Sequence, residues 1–404
     1  MKKLKSEDKG LFRNVCTCQV GMGIAMTMIG AVLPQIAGEY GLDYSFSGLM
    51  LSVQSAGYFI AGLAAGYLPR YFGARKCYVG LGAMAFIGLW LLMHTSQPFL
   101  LLLAMLLTGI SKGSGNNFTN QFTANISQGD TGRLNFMHAF YPVGACIAPL
   151  LVIACGASWR MAFRIVIVFG VLYLLHAMVM RVSHRASGNA AIQNGKNDYS
   201  FFKLKIFWAC AGMMSIYVAF ESALSGWLVT YFVNGTAISE STAQIFTTVL
   251  WGALCCGRMI TARISSRFQP YQMLPMMAVG TLVFFTVLMQ AENTTAMVVG
   301  TIGTGLCMAG LYGTAMGNSS GIFEKYPLCI GVLVVLPGVF SLVVLAGMGA
   351  LADCTDIRTG MASLYALLVL MFTLTVWNAV FLRHITQSRN RYVISKPSAL
   401  ALFL

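Results

Sequence analysis

Lys112, Asn116, Asn120 and Thr123 recur at spacings of four, four and three residues inside an otherwise apolar run, "LLTGISKGSGNNFTNQF". On a helix that spacing is a single stripe. Asn117 and Gln121 flank it, so one helix face carries a cation and four carboxamides where lipid-facing chemistry calls for leucine. An ammonium can hold an anionic group or donate to hydroxyls. A carboxamide offers donors and acceptors together, which suits a polyol. A second charged residue, Glu221, sits in another apolar run and shares a stripe with Tyr217, Ser225 and Leu228. Its carboxylate is a candidate proton carrier. His138, early in a third run, is a candidate shuttle because an imidazole titrates near neutrality; such a residue also serves to satisfy a helix–helix hydrogen bond. Gln19, Gln54 and Asn318 extend the candidate polar wall. Trp227, Tyr312 and Phe140 are candidates to stack on the C–H face of a sugar, and equally suited to packing.

The elements that must position these groups are membrane helices. Of 404 residues, 57% are hydrophobic and 9% charged, against about 25% charged in a soluble domain. A bilayer crossing needs about 20 apolar residues. The pattern predicts twelve such runs: 13–37, 44–68, 76–95, 98–126, 133–157, 160–181, 204–232, 239–264, 270–291, 294–322, 327–350 and 358–383. Lys112 lies about 14 residues into the fourth run, roughly 21 Å deep at about 1.5 Å per residue. Glu221 falls at a similar depth in the seventh. A midplane charge costs about 2.5–3.5 kcal/mol on insertion scales, so two of them are expected to have work to do.

The net charge of +14 does not point to nucleic acid. With alternating crossings, 22 of the 26 Lys and Arg fall on one side, and only Arg160, Arg164 and Arg358 on or near the other. Glu39, Asp43, Glu240, Glu292, Asp353 and Asp356 lie on the cation-poor side. This asymmetry predicts a multi-pass protein of the cell (inner) membrane with both termini cytoplasmic, attracted to anionic lipid headgroups. The first apolar run is too long for a cleaved signal peptide and reads as a retained helix. Eleven cysteines are scattered through the runs without clustered His or Cys partners, so no metal and no cofactor is expected. No nucleotide loop or clustered catalytic acids mark an enzyme.

The longest polar interruption, 184–203, splits the runs six and six and reads as a flexible cytoplasmic linker between bundles 1–183 and 204–404. The halves rhyme. "GYLPRYFGARK" follows the second run and "ARISSRFQPYQ" the eighth; "GSGNNFTN" closes the fourth run and "GTAMGNSS" the tenth. Parallel duplicated halves with a midplane site between them are a transporter architecture.

The stretch Gly66-Tyr-Leu-Pro-Arg70-Tyr-Phe-Gly73-Ala-Arg75-Lys76 resembles the signature gating loop of the major facilitator superfamily, G-x-x-x-D-R-x-G-R-[RK]. Gly66, Gly73 and Arg75 or Lys76 match, and Arg70 stands where the pattern has aspartate. "GRLNFMHAFYPVGA" at 132–145, "IYVAFESALSGWLVTYF" around Glu221 and Trp227, and "WGALCCGRMITAR" with its Gly257-Arg258 pair are similar to the fucose permease-like branch of sugar:proton symporters. The resemblance implies an all-α fold of twelve transmembrane helices in two pseudo-symmetric six-helix bundles, in which helices 1, 4, 7 and 10 line a central cavity. It also implies that Arg258 opens a second copy of the gating loop. Proton coupling in the fucose permease uses acids in helices 1 and 4. Here "NVCTCQVGMGIAMTMIGAVL" has no acid and Asn116 stands about where the second would be, so that mechanism does not carry over unchanged.

The expected function is a secondary active transporter, a monomer that imports a sugar or sugar derivative, neutral or anionic, by alternating access with a proton as coupling ion. Three readings of Lys112 and Glu221 stand open: an ion pair between the halves; Lys112 on an anionic solute with Glu221 taking the proton; Lys112 donating to the hydroxyls of a neutral sugar. A drug or metabolite exporter of the same fold is the nearest rival. "GACIAPLL" matches the exporters' antiporter motif only in part and the amide-rich fourth run argues against an apolar cavity. A non-transporting membrane sensor is the other rival; it calls for an output domain, which neither the short linker nor the tail supplies.

Overall fold

The computed structural model describes residues 6–127, 131–156, 158–179, 199–236, 238–265, 267–318, 326 and 328–395. Among them every regular element is a helix. We number the twelve long ones α1 (Ser6–Tyr40), α2 (Tyr44–Tyr67), α3 (Ala74–His94), α4 (Pro98–Ser127), α5 (Thr131–His138 and Phe140–Ala154), α6 (Trp159–Val179), α7 (Lys205–Thr230), α8 (Glu240–Ile264), α9 (Pro270–Met289), α10 (Thr294–Met308 and Leu311–Asn318), α11 (Leu328–Cys354) and α12 (Ile357–Ala362 and Leu364–Ser395). Eleven stretches are long and apolar enough to cross a membrane among the described residues, and α2 has comparable length. The interior breaks in α5 at Ala139 and in α10 at Ala309 and Gly310 differ from the continuous runs the sequence predicts. Most of the expected linker lies outside the described residues; its last residues form a short 3-10 turn, Ser200–Lys203.

Four helices entering from the end opposite the chain termini start on side-chain caps. Asp43 accepts from the Phe46 N–H, Ser239 from Thr242, Asn293 from Ala296 and Asp356 from Thr359. Each satisfies an amide that the first helical turn leaves orphaned. The Thr359 amide holds the Asp356 carboxyl below the usual carboxylate range. The signature stretch folds as a short helix, Pro69–Phe72, closed by Gly73 at φ 81°, a left-handed backbone that glycine adopts without strain. Gly66 lies in the last turns of α2, while Arg70, Arg75 and Lys76 are exposed beside the turn.

Packing within α1–α6 recurs within α7–α12. The pairs α1·α5, α2·α4, α3·α4 and α3·α6 have counterparts six helices on in α7·α11, α8·α10, α9·α10 and α9·α12. The halves meet through α2·α11, α5·α8 and α1·α7, the first two exchanged by the same pseudo-symmetry. Glycines set the close approaches. A Cβ on Gly109 of α4 would stand 2.0 Å from the Gln54 carbonyl oxygen of α2. Gly109→Ala should therefore push α2 from α4 and cost about 1–3 kcal/mol of stability, as overpacked cores do. A melting temperature equal to that of the parent would show that this seam spreads freely.

Hydrogen bonds between the halves gather at the end away from the termini. Gln35 of α1 bonds Glu240 of α8, and Gln244 donates to the Ala31 carbonyl at 2.7 Å. Ser52 of α2 donates to Leu342 of α11 at 2.7 Å, and Asp353 of α11 accepts from the Tyr44 and Ser45 amides at 2.8 and 2.6 Å. Closer to the termini the α2–α11 seam is looser. The nearest atoms to a Cβ on Gly62 lie 3.9 and 4.0 Å away. Among the described residues, the hydrogen bonds between the halves thus close the end away from the termini, and the α2–α11 seam loosens toward the other end.

Candidate functional site

The polar stripe on α4 is largely met by α5 and α2. Thr123 Oγ1 contacts Met137 Sδ at 3.1 Å, Asn120 Oδ1 accepts from His138 Nε2 at 2.7 Å, and the Lys112 ammonium lies beside the Tyr141 hydroxyl. Because α4 and α5 run antiparallel, ascending positions on one match descending positions on the other. Asn116 Nδ2 donates to the Tyr58 hydroxyl of α2 at 2.8 Å. The sequence shows the stripe but not these tyrosine partners, Tyr58 and Tyr141. Their signal is spacing: Tyr141 lies three residues past His138 and so shares its helix face.

The second half supplies the other wall. Glu221 Oε1 accepts from the Tyr217 hydroxyl at 2.8 Å and from Arg258 Nη2 at 3.3 Å, and the same arginine nitrogen reaches the Tyr217 hydroxyl at 3.4 Å. Tyr312 of α10 packs its ring against Tyr217, centroids 5.9 Å apart. Lys112 lies within electrostatic reach of Glu221, and Arg258 of His138 and Tyr141. The Arg258 and Glu221 side chains keep 34% and 19% of their surface although they sit deep in the bundle. They therefore face open interior space. Charged groups from both halves line one chamber.

Two expectations are corrected. Lys112 and Glu221 make no direct ion pair: among the described residues no carboxylate comes within 4.0 Å of Lys112, and Glu221 pairs with Arg258. Arg258 is not a gating-loop residue. It lies in α8, six residues before that helix ends, and its long side chain reaches inward to Glu221. The other candidates divide. Gln19 is buried and donates to Thr119 at 3.0 Å, Gln54 donates to Thr108 at 3.1 Å, and Asn117 bonds its own helix at the Gly113 carbonyl. Gln121 is half-buried on the next turn of α4. Trp227 is fully buried two turns beyond Glu221 and packs edge-on to Tyr44 at the closed end, away from the chamber. Phe140 packs on Phe136. The side chain of Asn318 lies outside the described residues.

The Arg258–Glu221 contact should behave as a coupled pair. Removing one partner of a buried pair costs about 3–5 kcal/mol, whereas exposed pairs contribute at most about 1. With both side chains partly open to the chamber, we expect about 2 kcal/mol for Glu221→Gln or Arg258→Met alone. The double substitution should cost less than the sum. Strictly additive melting-temperature losses across the cycle would show that the two side chains do not interact.

The family profile described as Major Facilitator Superfamily matches residues 15–328. No curated protein sequence matches the chain. Among solved structures, the nucleoside transporter NupG superposes with TM-score 0.75 at 13% identity, covering 92% of this chain and 99% of that one. The D-xylose-proton symporter gives 0.75 at 14%, with 93% and 97% covered. The E. coli fucose:proton symporter FucP gives 0.63 at 16%, with 92% and 99%. At such identities the likeness shows the fold.

Proposed function

Because the chain belongs to the Major Facilitator Superfamily and is by family and fold a membrane transporter rather than an enzyme, we propose that it moves a small polar solute, a sugar or sugar derivative, through the chamber between its halves. One observation carries this reading: tyrosine hydroxyls, carboxamides and opposite charges from α2, α4, α5, α7, α8 and α10 converge on one interior space. Tyrosines suit a polyol, since each offers a ring face for C–H groups and a hydroxyl for hydrogen bonds. An apolar drug would strip water from the charged ends of Lys112, Arg258 and Glu221 without supplying a partner, at substantial cost.

The direction we assign is import, with a proton as coupling ion and Glu221 as its carrier. The unit is a monomer of two bundles, 1–183 and 204–404, joined by the linker 184–203. Alternating access would swap closure between the two ends of the α2–α11, α5–α8 and α1–α7 seams. Both termini are assigned to the cytoplasm of a cell membrane on the 22-to-3 asymmetry of basic residues.

Purified protein in proteoliposomes should exchange a labelled member of a set of pentoses, hexoses and sugar acids by counterflow. Exchange of lipophilic cations alone would replace the sugar reading by the exporter reading. A reporter active only in the cytoplasm, fused after the last residue, should be on; activity of a reporter specific to the opposite side would invert the membrane orientation.

A further inference from the structure

The chamber has an uncompensated charge. Three side chains that are charged at neutral pH line it among the described residues: Lys112, Arg258 and Glu221. Glu221 offsets Arg258 at 3.3 Å. Lys112 has no carboxylate within 4.0 Å among the described residues, and the Tyr141 and Tyr58 hydroxyls lie nearby. The sum is one positive charge. An ammonium near the membrane midplane without a counter-charge in direct contact is costly and persists where it has a function. The arginine also has donors to spare. A guanidinium presents five N–H groups, and the bonds to Tyr217 and Glu221 share one nitrogen, Nη2. At 3.3 and 3.4 Å both are longer than the 2.7–2.9 Å of strong charge-assisted bonds, so an incoming anion competes on good terms.

We propose that the solute is a monoanion, a polyhydroxy carboxylate such as a sugar acid, whose carboxylate sits between Lys112 of α4 and Arg258 of α8. This deepens the transport reading above and rests on it. With Glu221 ionised, as it is when solute first enters, one negative charge brings the chamber to neutrality; a phosphate dianion overshoots it and a neutral sugar leaves it positive. The hydroxyl-bearing carbons face Tyr58, Tyr141, Tyr217 and Tyr312. The bound carboxylate draws Arg258 from Glu221. The freed Glu221 then takes up a proton, which returns the loaded chamber to the single positive charge of the empty one, so proton plus monoanion cross as a neutral pair.

The test is melting of the purified protein with D-gluconate, D-galactonate and D-glucuronate, each against its parent aldose and against glucose 6-phosphate. Ligands that bind the folded state raise the melting temperature. At least one carboxylate should bind at least 30-fold more tightly than its parent aldose. Lys112→Gln should abolish that shift while leaving the unliganded melting temperature equal or higher, since it removes an unpaired charge; Lys112→Arg should keep binding within about tenfold. A purely structural lysine would show the reverse, a lower unliganded melting temperature in Lys112→Gln. Stabilisation by aldoses or by the sugar phosphate with none by any carboxylate, or no stabilisation by any carboxylate at all, overturns the inference. In the first of these cases the transport reading stands. Carboxylate binding without counterflow in proteoliposomes would leave the anion site standing and remove the transport reading.

Discussion

Glu221→Gln protein is expected to exchange solute across a membrane and to fail to concentrate it. Glutamine keeps the shape of the side chain and can still accept from the Tyr217 hydroxyl, now 2.8 Å from Oε1, but it carries no titratable proton. Glu221 is the one carboxylate of the chamber among the described residues, so no neighbouring acid takes over. One proton per solute converts a pH difference of one unit into about a tenfold concentration ratio, or about 1.4 kcal/mol. The variant's accumulation ratio should therefore fall to one at every imposed pH difference. Counterflow of labelled solute, normalised to folded protein, should stay within a few fold of the parent. Accumulation that survives with its pH dependence intact would move coupling to His138 or away from protons altogether. The link is reciprocal: solute that frees Glu221 from Arg258 promotes its protonation, and protonation favours solute by the same factor.

The architecture was legible because lipid imposes it. A bilayer demands apolar runs of nearly fixed length, and charge asymmetry and loop rhymes give their order and duplication. Position along each helix was legible too, since rise per residue is constant, and Lys112 and Glu221 lie within electrostatic reach of one another. Partner choice was not. A sequence locates a Cα, while an ion pair depends on how each helix is rotated and how far a side chain reaches. Arg258 sits near the basic end of α8 and so resembles a loop cation, yet its four-bond reach carries the guanidinium inward to Glu221. The α4 stripe shows where polar groups lie and not which are already spent: Asn120 and Asn117 are engaged within the protein, on His138 and on the helix's own carbonyl. The break in α5 at Ala139 has a signal that the apolar pattern hides: Pro142 has no N–H to meet the His138 carbonyl four residues back, and its ring crowds that carbonyl.

Gly349→Ala should hold open the end of the molecule that is now closed. On α11 the glycine backs directly onto α2. An added Cβ would stand 2.4 Å from the Tyr44 carbonyl oxygen and 2.9 Å from the Gly48 Cα. Both are backbone atoms of a packed helix, so no side chain can swing aside, and the helices must part. The same two helices provide a control. At Gly338, about three turns nearer the termini, a Cβ finds its nearest neighbour at 3.7 Å, an ordinary contact. Alanine gains helix propensity over glycine equally at both sites, by about 1 kcal/mol, so any difference between the variants reports the seam. Overpacking of about 1–3 kcal/mol at Gly349 amounts to roughly a fivefold to 150-fold shift in the balance between end-closed and end-open states. Amide hydrogen exchange in peptides covering 44–53 and 340–353 should accelerate by that factor in Gly349→Ala and remain at the parent rate in Gly338→Ala. Asp353→Asn should move the same peptides less, about fivefold. Its carboxylate stabilises the α2 N-terminus through the Tyr44 and Ser45 amides from an exposed position, where such a charge contributes about 1 kcal/mol. If the two alanine variants exchange alike, the glycine seam is not what shuts this end. Closure would then rest on the Gln35–Glu240 and Gln244–Ala31 bonds between α1 and α8.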